Sequence, residues 1–269
     1  MTTPDATGPA RPFQDKTVAI TGGTSGTGLR AAERFLAGGA NVVVNGRSAE
    51  RGQAAFDVLE AQFPKQVALS IADCSDYAQA TRMVQEAVEA FGGIDILFSA
   101  GASGAGSPKP FADMPPDEIR DAVMTRFVAR MYPVHAAIPE LRKRTGSCVV
   151  MLTTDAARHA TSGESMIGAY AAGIIQVTKV LARELSRDRI RVNTVSMTLT
   201  AGTRSWEKIF GNESFEKNLF EKAIARFPFG GAPDAADVAD AVVFLASPQA
   251  SQVTGQTLSV NGGLSFGGW

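Results

Sequence analysis

Eight residues, Thr21-Gly22-Gly23-Thr24-Ser25-Gly26-Thr27-Gly28, join a short apolar run (Thr17 to Ile20) to a segment carrying Leu29, Ala32, Phe35 and Leu36. Glycines in such a turn let backbone approach a pyrophosphate closely. The helix that follows offers free N–H groups and the positive end of its dipole. Gly22, Thr24, Ser25, Gly26 and Gly28 are therefore the candidate phosphate cradle. The end of the next apolar run reads Asn45-Gly46-Arg47-Ser48. A carboxylate there would accept from both ribose hydroxyls of NAD, whereas Arg47 can pair with a 2′-phosphate, and nothing acidic in that run repels it. The expected ligand is a nicotinamide dinucleotide, NADP(H) in preference to NAD(H). Asp73, after the third run, is placed to meet the adenine amino group. Ser99, Ala100 and Gly101, after the fourth, are placed to line the nucleotide with backbone.

These residues need a scaffold of alternating strands and helices. Strands are expected at Thr17–Ile20, Asn41–Asn45, Gln66–Ile71, Ile94–Phe98, Cys148–Leu152, Ile190–Val195 and Thr257–Val260. The first helix ends at Gly38-Gly39. Further helices are expected at about 49–62, 77–91, 116–138, 166–186 and 235–246 by their apolar spacing. Strands that are apolar throughout, separated by amphipathic helices, imply an α/β fold: a single Rossmann-type, doubly wound parallel sheet with helices on both faces. Residues 1–13, rich in Thr, Pro, Gly and Ala, read as a loose tail before one domain at 14–269. The stretch 204–229 breaks the rhythm with Trp206, Phe210, Phe215, Phe220 and Phe227 among many charges. It reads either as a packed face or as a substrate-side lid.

Bulk properties exclude several classes. A net charge of −1 argues against a nucleic-acid partner, and Arg142-Lys143-Arg144 is too short a cluster to change that; it reads as a solvated helix end. No apolar run is expected to span a membrane, and no signal peptide opens the sequence. Cys74 and Cys148 lack metal-ligand spacing and read as buried thiols of a reducing, cytoplasmic setting, with no metal site.

The glycine loop, Asn45 to Arg47, Asp73, and the late motifs Val238-Ala239, Phe244-Leu245-Ala246-Ser247, Thr254-Gly255-Gln256 and Val260-Asn261-Gly262-Gly263 together resemble a classical short-chain dehydrogenase/reductase over residues 14 to 264. The resemblance implies a bound nicotinamide nucleotide, a small-molecule carbonyl or alcohol substrate, and a homo-oligomer, dimer or tetramer. It also implies a tyrosine that moves a proton, a lysine four residues later, a serine on a strand end and an asparagine on an earlier helix. Aligned from Val177 to Leu185, an ungapped register puts Ile167 at the tyrosine, Ala171 at the lysine, Thr154 at the serine and Arg126 at the asparagine. Phe98-Ser99-Ala100-Gly101 replaces Asn-Asn-Ala-Gly. Met197-Thr198 replaces Pro-Gly, with Thr198 carried among the cofactor contacts, and Asn261 replaces the Asp of the closing Asp-Gly-Gly.

Other groups can refill that site. Tyr170 lies nearly one helical turn from Ile167 and either leans into the same cleft as an acid or packs at a helix interface. Asp155 and His159 either act as basic groups or decorate a loop, and Arg126 either holds an anion or forms a structural ion pair. Three functions follow: an NADP(H)-dependent oxidoreductase using Thr154, Tyr170, Arg126 and Asp155; a non-redox isomerase, dehydratase or cyclase; or an inactive subunit paired with an active homologue. For the last, the small-residue run Gly168 to Gly173 offers a close-packing surface.

Overall fold

The structure is a computed structural model that describes residues 11–101, 108–211 and 215–266. Its centre is a seven-stranded parallel sheet in the order β3-β2-β1-β4-β5-β6-β7. The strands are β1 (Thr17–Thr21), β2 (Asn41–Gly46), β3 (Val67–Ile71), β4 (Ile96–Ser99), β5 (Cys148–Thr154), β6 (Arg191–Met197) and β7 (Thr257–Val260). The helices are α1 (Gly26–Ala37), α2 (Ala49–Gln62), α3 (Tyr77–Phe91), α4 (Pro116–Ala122), α5 (Ala129–Leu141), α6 (Ser165–Leu185), α7 (Arg204–Phe210), α8 (Phe215–Ile224) and α9 (Ala235–Ala246).

The strands are apolar throughout because both faces are covered. Val18, Ile20, Val42 and Val44 pack with Phe35 of α1, Leu59 of α2 and Val242 of α9. The intervening Ala19 and Val43 pack on the opposite face with Met83 of α3, Val134 of α5 and Ile174 of α6. Side chains alternate across a strand, so a period of two with apolar residues at every position serves two cores at once.

The expected helix over 116–138 is instead three pieces. Between α4 and α5 the backbone widens to a π-helical turn, Val123–Val128, which carries Arg126. A π turn holds an extra residue, and the hydrophobic pattern does not reveal it. The tail expected over 1–13 is anchored at its end. Phe13 is 1% exposed and meets Phe35 edge-on at 4.9 Å, while residues 1–10 lie outside the described residues. Arg142 pairs with Asp188 at 2.8 Å and Lys143 with Glu140 at 2.7 Å, so the basic cluster is a helix end held by local ion pairs. One described helix, Ser165–Asp188, is long and apolar enough by length and composition to cross a membrane, a test that a core helix also passes. In this fold Tyr170, Ala171, Ile174, Ile175 and Leu185 are buried along one side of it, while Lys179 and Val180 face outward.

Candidate active site

The C-terminal ends of β1, β2 and β4 open onto a cleft of about 550 Å³, counting its solvent-open mouth. Gly22, Thr24 and Ser25 line it from the β1–α1 turn, Arg47 and Asp73 from the ends of β2 and β3, and Gly101 from the end of β4. Two glycines are structurally required. Gly22 has φ +70°, a conformation open to glycine, and a Cβ on Gly28 would sit 2.1 Å from the Gly22 carbonyl oxygen. Gly28 thus serves close packing and is not part of the cleft wall.

The start of α1 is built for an anion. Side chains cap α2 (Ser48), α3 (Asp76) and α9 (Asp234), but Ser25 makes no such bond and leaves the first amides of α1 uncapped. Uncapped amides beside a glycine turn match a pyrophosphate. The residues present therefore fit a dinucleotide. Gly22, Thr24, Ser25 and Gly101 would hold its phosphates and backbone-facing edge, and Arg47 and Asp73 its adenosine end. Nicotinamide supplies or accepts a hydride when bound.

Several contacts revise the sequence reading. Arg47 is not free of acidic neighbours: its Nη1 lies 3.8 Å from Asp73 Oδ2. Asp73 Oδ1 accepts from the Ser75 amide and hydroxyl at 2.9 and 2.7 Å. Asn45 is turned inward, donating to the carbonyls of Ser70 and Ala72, and so staples β2 to β3. Ala100 and Gly101 donate their amides to Thr21 Oγ1. Ser99 is buried and donates to the Arg130 carbonyl at 3.0 Å. Of the expected cofactor contacts, Gly26, Gly28, Ala100 and Thr198 do not line the cleft. Arg51 and Arg204 do line it, and neither was anticipated. Arg51 is in the first turn of α2, just after Arg47, and its closeness in sequence is a signal for it. Arg204 begins α7, and no local signal points to it. Cys74 also lines the cleft, and burial pushes its thiol up to about 12.

A second, narrower cleft lies between α4, the π turn and α6. Met114, Glu118, Arg126, Met166, Ile167 and Tyr170 are among its walls, and it encloses about 310 Å³ counting its mouth. Tyr170 and Ile167 thus share a cavity, as their spacing allowed. Arg126 Nη1 is 3.3 Å from the Tyr170 hydroxyl. Thr154 is half-buried at the end of β5, and Ala171 is fully buried, its carbonyl accepting from Thr153 Oγ1 at 3.1 Å.

Asp155 is the main correction among the candidate catalytic residues. Its carboxylate is 6% exposed and already occupied. Oδ1 accepts from Ser196 at 2.7 Å, and Oδ2 accepts from Asn261 Nδ2 and Ser265 Oγ, each at 2.6 Å. Arg158 Nη2 lies 3.6 Å away. A buried carboxylate held by three such bonds ties β5, β6 and the C-terminal segment together, which is an architectural use of the group. Two glycines of the small-residue run of α6 pack inside the chain, while Ala169 and Ala172 are exposed. A Cβ on Gly168 would lie 2.8 Å from the Ala156 carbonyl oxygen, and one on Gly173 would lie 3.0 Å from the Phe127 ring.

A family model described as enoyl-(acyl carrier protein) reductase matches residues 22–265. A solved short-chain dehydrogenase/reductase from Brucella melitensis, described as a glucose/ribitol dehydrogenase, superposes with a TM-score of 0.83 at 29% identity. The match covers 96% of this chain and 100% of that one. The chain belongs to the short-chain dehydrogenase/reductase family. Among its short-chain relatives is a 3alpha-hydroxysteroid dehydrogenase of Mediterraneibacter gnavus, 31% identical, with 93% of this chain and 97% of that protein covered. An NADPH-bound short-chain oxidoreductase of Pseudomonas aeruginosa PAO1, described as containing an atypical catalytic center, matches at 27% identity with a TM-score of 0.86. That match covers 94% of this chain and 99% of that one. The family's Rossmann-type sheet and nucleotide cleft are those described above.

Proposed function

We propose that the chain is an NADP(H)-dependent oxidoreductase acting on a carbonyl/alcohol pair with a non-standard proton donor. The observation that carries the cofactor choice is the cleft in which Arg47, Arg51 and Arg204 gather while its acidic wall residue, Asp73, is engaged by Ser75 and Arg47. Three guanidinium groups favour a nucleotide with an extra phosphate.

For the chemistry, Tyr170 is the residue that gives its phenolic proton to the alkoxide oxygen formed on the substrate. Arg126, 3.3 Å from that hydroxyl, holds the phenolate that remains. The Thr154 hydroxyl, at the end of β5, orients the carbonyl. In the ungapped register Ile167 and Ala171 stand where the family keeps its tyrosine and lysine. The Pseudomonas aeruginosa neighbour, described as having an atypical catalytic center, is a precedent for a departure of this kind.

The test begins with fluorescence titration of the purified chain with NADPH and NADH, using Trp206 beside Arg204 as reporter. NADPH should bind at least tenfold tighter. A carbonyl panel monitored through nicotinamide absorbance then follows, with Tyr170→Phe expected to lose about 100-fold or more in kcat at unchanged NADPH affinity. Product formed without any absorbance change would replace this reading with a non-redox one.

A further inference from the structure

Three guanidinium groups reach the nucleotide cleft, but a dinucleotide with a 2′-phosphate presents two separate anionic groups to them. Arg47 and Arg51 come from the β2–α2 corner, whereas Arg204 opens α7 after β6. In the sheet, β2 and β3 lie on one side of β1, and β4, β5 and β6 lie on the other. A dinucleotide crosses such a switch point with its pyrophosphate over the β1–α1 turn and a nucleoside to either side. Arg204 therefore approaches the pyrophosphate from the side away from the adenosine 2′ position.

Its backbone is placed for that contact. A Cβ on Gly26, the first residue of α1, would lie 3.5 Å from Thr203 Cα and Cγ2 and 3.7 Å from the Gly202 carbonyl oxygen. The chain leading into Arg204 thus crosses the helix start that has no side-chain cap. That crossing is fixed before a ligand arrives. The Ala201 amide donates to the Pro233 carbonyl at 2.9 Å, and the Ala201 carbonyl accepts from the Ala235 amide at 3.0 Å. Thr203 Oγ1 donates to the Thr200 carbonyl at 2.8 Å and accepts from the Trp206 amide at 3.2 Å, so this hydroxyl is used within the segment.

The Arg204 guanidinium is uncommitted. It is exposed, and no ion pair among the described residues includes it, not even with Glu207 one turn further on. Arg47, by contrast, stands 3.8 Å from Asp73, the one acid among the described residues that line the cleft.

We infer that Arg204 binds the pyrophosphate of the dinucleotide from the side opposite the α1 amides. A guanidinium fork matches two phosphate oxygens through parallel hydrogen bonds, while helix amides serve the remaining ones. With Arg204 on the pyrophosphate, Arg47 and Arg51 remain for the 2′-phosphate. Arg204 is then a binding residue common to both nicotinamide nucleotides. The inference rests on the reading of the cleft as a nicotinamide-nucleotide site.

The test is calorimetric titration of the purified chain and two variants with NADPH and with NADH. Arg204→Gln is expected to weaken both nucleotides by the same factor, about tenfold. Arg204→Lys keeps the charge and is expected to recover most of that loss. Unliganded Arg204→Gln should melt at the parent temperature, because the side chain is exposed and unpaired. A loss confined to NADPH would move Arg204 to the 2′-phosphate. No loss with either nucleotide would make it a solvent-facing arginine. A lysine variant as weak as the glutamine one, or a lowered melting temperature, would make the loss structural. Each of these results overturns the inference and leaves the nicotinamide reading standing. Failure of the parent chain to bind either nucleotide overturns that reading and the inference with it.

Discussion

Arg126 Nη1 lies 3.3 Å from the Tyr170 hydroxyl, with its guanidinium carbon 5.7 Å from the centre of the tyrosine ring. The pair joins two segments 44 residues apart in sequence, the π turn and α6. Tyr170 therefore meets its cation across a helix–helix contact and not along its own helix. Arginine stays charged at any working pH, so the phenol faces a fixed positive group.

Replacing both Arg47 and Arg51 by alanine is expected to weaken NADPH binding by about 3 kcal/mol, roughly 100-fold, since each charge-assisted hydrogen bond contributes about 1.5–3 kcal/mol. NADH affinity should barely change. Parallel titrations with the two nucleotides check this, and equal losses for both would place these arginines away from the 2′-phosphate.

Gly28→Ala puts a methyl group where the Gly22 carbonyl oxygen stands 2.1 Å away. Backbone must move, at a cost of about 3 kcal/mol, and the phosphate cradle moves with it. Urea unfolding should show the loss, and nucleotide binding should fall even where the chain remains folded.

Asp155→Ala strands the hydroxyls of Ser196 and Ser265, the Asn261 amide and the Arg158 guanidinium. A loss of about 3 kcal/mol or more is expected in chemical denaturation. The kcat of the folded variant should stay within about twofold, an outcome that separates an architectural carboxylate from a catalytic one.

Burial raises the Glu164 carboxyl above its ordinary value of 4.5, with a Thr161 hydrogen bond partly opposing it. The folded state therefore favours the neutral acid. Stability from that preference is present below the unfolded value and is lost as pH rises through the folded one. Glu164→Gln should accordingly raise the melting temperature by a few degrees near neutral pH, and the gain should vanish as the pH falls below about 4. A gain that is the same at both pH values would show that the carboxyl ionises as easily in the folded chain as in the unfolded one.

The sheet and its nucleotide loop could be read from the sequence because their signals are local. Val42-Val43-Val44 faces two cores, and the glycine turn sits between its own strand and helix. What escaped depends on distant chain meeting in space. Asp155 looks like a loop acid beside Thr154 and His159, but its partners Ser196, Asn261 and Ser265 arrive from two other segments. Arg204 reaches the cleft only because the chain returns over the glycine turn after β6, where a Cβ on Gly26 would meet Thr203 at 3.5 Å. Arg130 falls within an expected helix, and nothing in its sequence neighbours marks it as buried with no ion-pair partner among the described residues.

The bond between Asp155 and Asn261 also couples two positions far apart in the chain. Where the family pattern has a carboxylate at the closing Asp-Gly-Gly, this sequence has an amide, and the carboxylate facing it belongs to residue 155. Changing position 261 alone to aspartate would set two carboxylates 2.6 Å apart, and changing position 155 alone to asparagine would leave two amides sharing the same donors. Each single step is disfavoured while the double exchange keeps one acid and one amide. The two positions are therefore energetically coupled, and their exchanges should not be additive.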